Sequence, residues 1–159
     1  MMIFIKKKYD KLIEYKSLNS SNIKRSFKGS VLELSKKNNI ILIYPYPELS
    51  FDLKEKVQKK YFLQKKNFIE ILNEKYYSEP YKNYLSRSKE TFHLFDSINN
   101  NNIHRVYPHL LVCNNFVNKA CVAHDKKNIF YVDSLHPSLI AIEKINKLIL
   151  KEIETIELK

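Results

Sequence analysis

Glycine is almost missing from this sequence, since Gly29 is the only one among 159 residues. Loops that cradle phosphate groups need several residues that tolerate positive φ and let the backbone approach the ligand closely. The sequence therefore excludes a P-loop and a dinucleotide-binding Gly-x-Gly-x-x-Gly fingerprint.

Long apolar stretches are missing as well. The longest uninterrupted one, from Ile40 to Tyr44, is far shorter than the roughly 20 residues that a helix needs to cross a bilayer. The first eight residues place three lysines directly after a very short apolar stretch, which is not the pattern of a secretory signal. We expect the chain as it stands to have no membrane span and no export route of its own.

The composition is nevertheless that of a folded protein. With 44% apolar and 13% aromatic residues, and with neither repeats nor a Pro/Gly/Ser linker, residues 1–159 are predicted to form one domain with a buried core. The net charge of +11 would suit nucleic acid, an anionic lipid surface or an acidic polysaccharide. The lysines are spread over the whole chain among many Asn, Ile and Tyr residues, so the charge does not discriminate between these partners.

Hydrophobic spacing predicts four helices, at residues 22–37, 53–75, 81–99 and 137–154. Pro137 is expected at the favourable first position of the last helix. Three short β-type runs predict strands at 39–44, 103–107 and 129–132. The first run is continuously apolar and stops at Pro45, which is typical of a central parallel strand buried on both faces. The order α-β-α-α-β-β-α predicts a layered α/β domain.

The turn between the strand at 129–132 and the last helix is the first place to look for chemistry, because functional residues of α/β domains follow the carboxyl ends of strands. It contains Asp133 and, three residues later, His136. A carboxylate on the imidazole Nδ1 fixes the tautomer and leaves Nε2 free as a general base. The alternative interpretation, with about equal weight from spacing alone, is a helix-capping Asp or Ser beside an unrelated histidine.

A wider set of residues carries a family resemblance. The segments Ile41-Leu-Ile-Tyr-Pro45-Tyr-Pro47-Glu48, Val106-Tyr-Pro108, Cys113, Cys121 and Tyr131-Val-Asp133-Ser-Leu-His136 stand in this order. Over roughly residues 30–151 the chain resembles the SGNH domain at the C-terminus of acyltransferase-3 membrane enzymes, which O-acylate bacterial surface polysaccharides. The resemblance implies a partial three-layer, flavodoxin-like α/β fold with a mainly parallel sheet, with Asp133 as orienting acid and His136 as general base.

The sequence departs from the family pattern at its beginning. The family carries its serine nucleophile in a Gly-Asp-Ser block, and further blocks supply a Gly and an Asn to the oxyanion hole; this sequence has none of them. Its only Gly-Ser pair, Gly29-Ser30, falls inside the first predicted helix. After His136 the family shows Leu-Ser and then Gly-Ala, whereas this chain has Pro137-Ser138 and then Ala141-Ile142. We therefore expect a fragment, a remnant or one part of a split enzyme, inactive alone because the nucleophile is missing.

The resemblance also implies surroundings and partners. In the intact family protein the domain lies on the extracytoplasmic face of the membrane, receives an acyl group through the membrane acyltransferase domain and passes it to a polysaccharide hydroxyl. The resemblance favours a disulfide between Cys113 and Cys121. Zinc bound by these cysteines with His109 and His124 is an alternative, although the spacing matches no common zinc framework, and two free thiols are another. Glu48, after two prolines at a strand end, is a candidate site-lining residue.

A function from a different class remains open, namely a non-catalytic basic α/β module that binds polysaccharide or nucleic acid. The lysine-rich helix at 54–66 could follow phosphates, with Tyr61 and Phe62 available for stacking. Such a helix is more often a solvated basic face, and no nucleic-acid-binding motif accompanies it. We expect nucleic acid not to be a partner, and neither a cofactor nor a metal to be required.

Overall fold

The computed structural model describes residues 20–158. In chain order the elements are α1 (Ser20–Ser35), β1 (Ile40–Ile43), α2 (Leu53–Gln64), α3 (Phe68–Glu74), β2 (Ser78–Pro80), α4 (Tyr81–Asp96), β3 (Ile103–Val106), a 3₁₀ helix (Pro108–Leu111), β4 (Ala120–Val122) and α5 (Leu139–Glu157). The interpretation of the first eight residues concerns positions that lie outside this range.

The two strongest strand patterns pair in parallel, as predicted. Ile40 lies beside Ile103 and Ile43 beside Val106, and the Tyr44 N–H donates to the Val106 carbonyl at 2.9 Å. This pairing confirms the α/β class with a parallel sheet. The prediction that β1 is a central strand is wrong for residues 20–158, where β3 is its only paired neighbour and the Ile43 side chain is 37% exposed.

A second sheet, which sequence analysis did not predict, pairs β2 with β4 in antiparallel register, from Ser78 opposite Val122 to Pro80 opposite Ala120. Each strand has three residues, too few for a period-two pattern to stand out. Pro80 in β2 further disguises the strand, because proline cannot donate to a ladder.

The helix predicted at 53–75 is two helices. Lys65 takes the left-handed conformation with φ 53°, and its N–H donates to the Tyr61 carbonyl, which ends α2. Asn67 then begins α3 through a capping box, accepting from the Glu70 N–H while the Glu70 side chain accepts from the Asn67 N–H. The Asn-x-x-Glu spacing is the sequence signal that was missed.

The strand predicted at 129–132 is also wrong, because this segment makes two isolated bridges instead. His124 pairs with Ile129 and Tyr131 pairs with Pro137. Tight turns lie directly before and after the segment, at 125–128 and 132–136, so too few residues remain between them for a ladder.

The ends of the remaining helices differ little from expectation. The helices α1 and α4 form where the spacing predicts them, and Gly29 lies inside α1 as expected. The last helix begins later than predicted: Ser138 is its N-cap, so Pro137 stands one residue outside it and is not its first residue.

Two apolar clusters form the core. One surrounds the parallel strands, where Tyr44 is packed edge-on against Phe92 and Phe95 of α4. The other joins the β2–β4 sheet to α2 and α3 and to the segment after β4, and includes Ile71, Leu72, Val122, Ala123, Phe130 and Tyr131. The segment that precedes Asp133 is therefore anchored in the core.

Candidate active site

Asp133 and His136 lie together in a turn whose geometry the aspartate itself organises. One carboxylate oxygen of Asp133 accepts the backbone N–H groups of Leu135 and His136 at 2.7 and 2.8 Å. The other lies 2.8 Å from Nδ1 of His136. The Val132 N–H donates to the His136 carbonyl at 2.8 Å and closes the turn. The spacing of three residues thus brings the carboxylate and the imidazole together. The turn that holds them lies between the two residues of the isolated Tyr131–Pro137 bridge and does not follow a strand.

The charge state of this pair follows from its contacts. The hydrogen bond with the His136 imidazole, followed by the two backbone N–H donors, lowers the pKa of Asp133 to about 2. An ionised carboxylate can only accept, so Nδ1 carries the imidazole proton and, in the neutral ring, Nε2 carries the free lone pair. The His136 side chain is 72% exposed, so Nε2 is accessible to a reacting hydroxyl group.

The two serines beside His136 make different contacts. Ser138 caps α5 by accepting from the Ala141 N–H, and its hydroxyl donates to the Ile129 carbonyl at 2.6 Å. Ser134 lies inside the turn between acid and base, and its carbonyl accepts the N–H of Leu49 at 2.8 Å. The Ser138 hydroxyl is therefore already committed to the backbone, and Ser134 belongs to the turn itself.

The hydrogen bond from Leu49 to Ser134 places residues 45–50 against the turn. Tyr46 of this segment also lies beside Tyr131, with ring centroids 5.2 Å apart. Glu48 is the neighbour of Leu49, whose backbone contacts the turn. The Glu48 side chain, however, is 56% exposed, and its carboxylate lies 4.0 Å from the Nε of Arg87. Glu48 makes no hydrogen bond or ion pair with Asp133 or His136.

A buried carboxylate that sequence reasoning missed fixes this segment. Glu79 of β2 is 1% exposed and accepts from both the N–H and the hydroxyl of Ser50, and from the Asn83 amide at 2.7 Å. Arg87 lies 3.5 Å from the same carboxylate and donates to the Glu48 carbonyl at 2.6 Å. Burial raises the pKa of Glu79, but these hydrogen bonds and the Arg87 charge outweigh it and the pKa is lowered. Only the Glu-x3-Asn-x3-Arg helical spacing from Glu79 could have suggested the cluster.

Cys113 and Cys121 form a disulfide beside this region. The bond joins the end of the 3₁₀ helix to β4, and the chain continues from β4 through Ala123, whose carbonyl accepts the Phe130 N–H. Because both sulfurs are in the disulfide, they cannot also bind zinc together with His109 and His124. Within residues 20–158, no three metal-binding side chains gather at one place.

The two histidines of that alternative are buried singly. His124 is 0% exposed and lies with each ring nitrogen near a backbone N–H, of Tyr77 and of Lys126. His109 is 4% exposed among aromatic rings of Tyr81, Tyr84 and Phe92. Burial lowers the pKa of both, so they are core residues in the neutral form.

Comparison with known protein families decides the affiliation of the chain. The family described as "SGNH domain (fused to AT3 domains)" matches residues 3–151. The chain belongs to this family. The match confirms the resemblance seen in the ordered motifs and extends it toward the N-terminus. Neither the curated proteins nor the solved structures gave a match.

Membership of the SGNH family associates the chain with an acyltransferase-type domain. The Asp133–His136 pair and the disulfide stand at the positions that the motifs marked for them. The printed sequence carries no Gly-Asp-Ser block. None of the helices between residues 20 and 158 is both long and apolar enough to span a bilayer.

Proposed function

We propose that this SGNH chain supplies the acid and base of a Ser-His-Asp acyl-transfer site that modifies hydroxyl groups of a bacterial surface polysaccharide. The observation that carries the proposal is the 2.8 Å contact between the Asp133 carboxylate and Nδ1 of His136, on an imidazole whose side chain is 72% exposed. Family membership supports the acyl-transfer class.

The chemistry divides into two steps at one base. Nε2 of His136 takes the proton of a serine hydroxyl as that oxygen attacks the acyl carbonyl, and returns it to the leaving group. In the second step Nε2 takes the proton of a sugar hydroxyl as that oxygen attacks the acyl-serine ester, and returns the proton to the serine oxygen as it leaves. Asp133 holds the tautomer and stabilises the imidazolium formed in each step.

The serine and the oxyanion donors belong, in this proposal, to a Gly-Asp-Ser segment outside the printed sequence. The acyl group reaches the site through a membrane acyltransferase domain, and the reaction takes place on the extracytoplasmic face. The disulfide supports this location, since disulfides persist in oxidising compartments.

An assay with an activated acetyl ester tests the proposal. The purified chain should show no turnover that depends on His136, and a supplied segment with the Gly-Asp-Ser block should produce such turnover. The matched control is His93→Ala, which removes an exposed histidine of α4. Turnover by the chain alone that disappears in His136→Ala would show that it has its own nucleophile. The failure of every such segment would favour a non-catalytic binding module.

A further inference from the structure

The turn between α2 and α3 exposes several large apolar side chains. All residues from 61 to 70 are exposed, and five of them are large and apolar: Tyr61, Phe62, Leu63, Phe68 and Ile69. Their exposed fractions range from 39% at Phe68 to 73% at Leu63. Tyr61, Phe62 and Phe68 line one open cleft together with Lys54. Exposed apolar side chains grouped in this way are typical of an interaction site.

Lysines lie beside these apolar residues in the sequence, within residues 54–69, which we call the α2–α3 tip. Residues 53–70 contain six lysines and two glutamates. Lys60 and Lys66 pair with Glu74, and Lys56 lies over the Phe51 ring. Within the described part of the chain no ion pair involves Lys54, Lys59 or Lys65, which leaves three exposed cations around the apolar residues.

We propose that the α2–α3 tip, residues 54–69, is a docking surface for an anionic lipid bilayer. Aromatic and aliphatic side chains beside lysines suit the boundary between headgroups and acyl chains, where the apolar groups enter and the cations remain among the phosphates. The proposal does not depend on the acyl-transfer function.

Charge decides between possible occupants. A second copy of this chain would place the lysines of one tip against the lysines of the other. Residues 1–19 also carry more lysines than acidic residues, so their charge does not complement the tip lysines. Nucleic acid would satisfy the lysines and could stack on aromatic rings, but Leu63 and Ile69 have no π face to offer a base. An anionic bilayer, with phosphates at its surface and acyl chains beneath them, suits both the lysines and the apolar side chains of the tip.

Vesicle binding tests the proposal in the full chain. We expect co-sedimentation with phosphatidylcholine vesicles that contain about one third phosphatidylglycerol, and at least about tenfold weaker partitioning to phosphatidylcholine alone. Phe62→Ser with Leu63→Ser should lower partitioning by about tenfold or more. Lys54, Lys59 and Lys65 changed together to Gln should do the same on anionic vesicles.

Matched variants on other surfaces control for general apolarity and charge. Leu139→Ser with Leu150→Ser removes similarly exposed side chains from α5, which are 70% and 56% exposed, and should leave binding unchanged. Lys82, Lys147 and Lys151 changed together to Gln should lower binding much less than the tip lysines. Urea unfolding of each variant establishes that it is folded.

Four results would overturn the inference. The first is that the chain does not bind anionic vesicles, and the second is that tip and control variants lose vesicle binding equally. The third is that the chain forms a dimer and that the double variant Phe62→Ser, Leu63→Ser is monomeric. The fourth is that a single-stranded oligonucleotide binds more tightly than vesicles do, through the same residues.

Discussion

The Asp133 carboxylate determines which nitrogen of His136 is basic. One of its oxygens is fixed by the N–H groups of Leu135 and His136, so only the other faces the imidazole. The acid therefore does two tasks with two oxygens. Sequence spacing could predict that Asp133 and His136 are close together. It could not predict which carboxylate oxygen contacts the imidazole, because that depends on the backbone of the turn.

Replacing Asp133 with Asn should reverse the tautomer of His136. The side-chain oxygen of Asn can still accept the two backbone N–H groups, which leaves its NH₂ group facing Nδ1. Two donors cannot share one bond, so the proton should move to Nε2. Nitrogen-15 chemical shifts of the histidine rings measure this directly. Ring shifts for His136 that are the same in both proteins would contradict the assignment.

Replacing Glu79 should destabilise the protein more than its position in a three-residue strand suggests. Glu79→Ala leaves the Ser50 N–H and the Asn83 amide without their acceptor and Arg87 without its buried partner, at a cost of about 3 kcal/mol. Urea denaturation gives the free energy of unfolding. Glu48→Ala, which removes an exposed carboxylate from the same cluster, should change it by less than about 0.5 kcal/mol. Equal effects would show that Glu79 anchors nothing.

At the scale of elements, the disulfide holds β4 to the end of the 3₁₀ helix. Changing Cys113 and Cys121 together to Ala should lower the free energy of unfolding by roughly 2.5 kcal/mol, because so short a loop loses little entropy when closed. Urea denaturation with and without reductant measures the difference. The native chain under reductant should approach the double variant, and an unchanged midpoint would count against the bond.

The elements also show what sequence patterns can and cannot supply. The helices α1 and α4 and the strands β1 and β3 have enough apolar residues in phase to be predicted. The break at Lys65 is different, because a lysine there takes a left-handed conformation that usually indicates glycine. The segment at 129–132 has the composition of a strand, but the turns on both sides leave it only isolated bridges. The first error overlooked a local signal, the capping box of Asn67 and Glu70, whereas the second arises because the propensity of residues 129–132 does not include the turns on either side.

The site follows the same division. The ordered motifs indicated Asp133, His136 and the cysteines through the family resemblance, although no one of these motifs is diagnostic alone. Glu79 lies in no such pattern, and its importance comes from contacts with Ser50 and Arg87, which are distant from each other in sequence.

At the scale of the whole molecule, the two buried histidines should make the fold sensitive to acid. Burial lowers the pKa of His109 and His124, so in the folded state both remain neutral while the unfolded chain protonates them near their ordinary pKa of 6.5. The unfolded state then binds more protons, and the free energy of unfolding should fall as pH falls below about 6.5. Urea midpoints measured at several pH values test this. His109→Phe should weaken the dependence, whereas a similar effect of His93→Gln would contradict the explanation.

The central claim is that Asp133 and His136 are a working acid and base for acyl transfer. Its most direct test is the rate of acetyl-ester turnover by the chain combined with a segment that carries the Gly-Asp-Ser block. We predict that His136→Ala lowers the rate constant by at least about 10³-fold and Asp133→Asn by a comparable factor, while His93→Ala leaves it unchanged. Turnover that is equally fast in the His136→Ala variant would contradict the account.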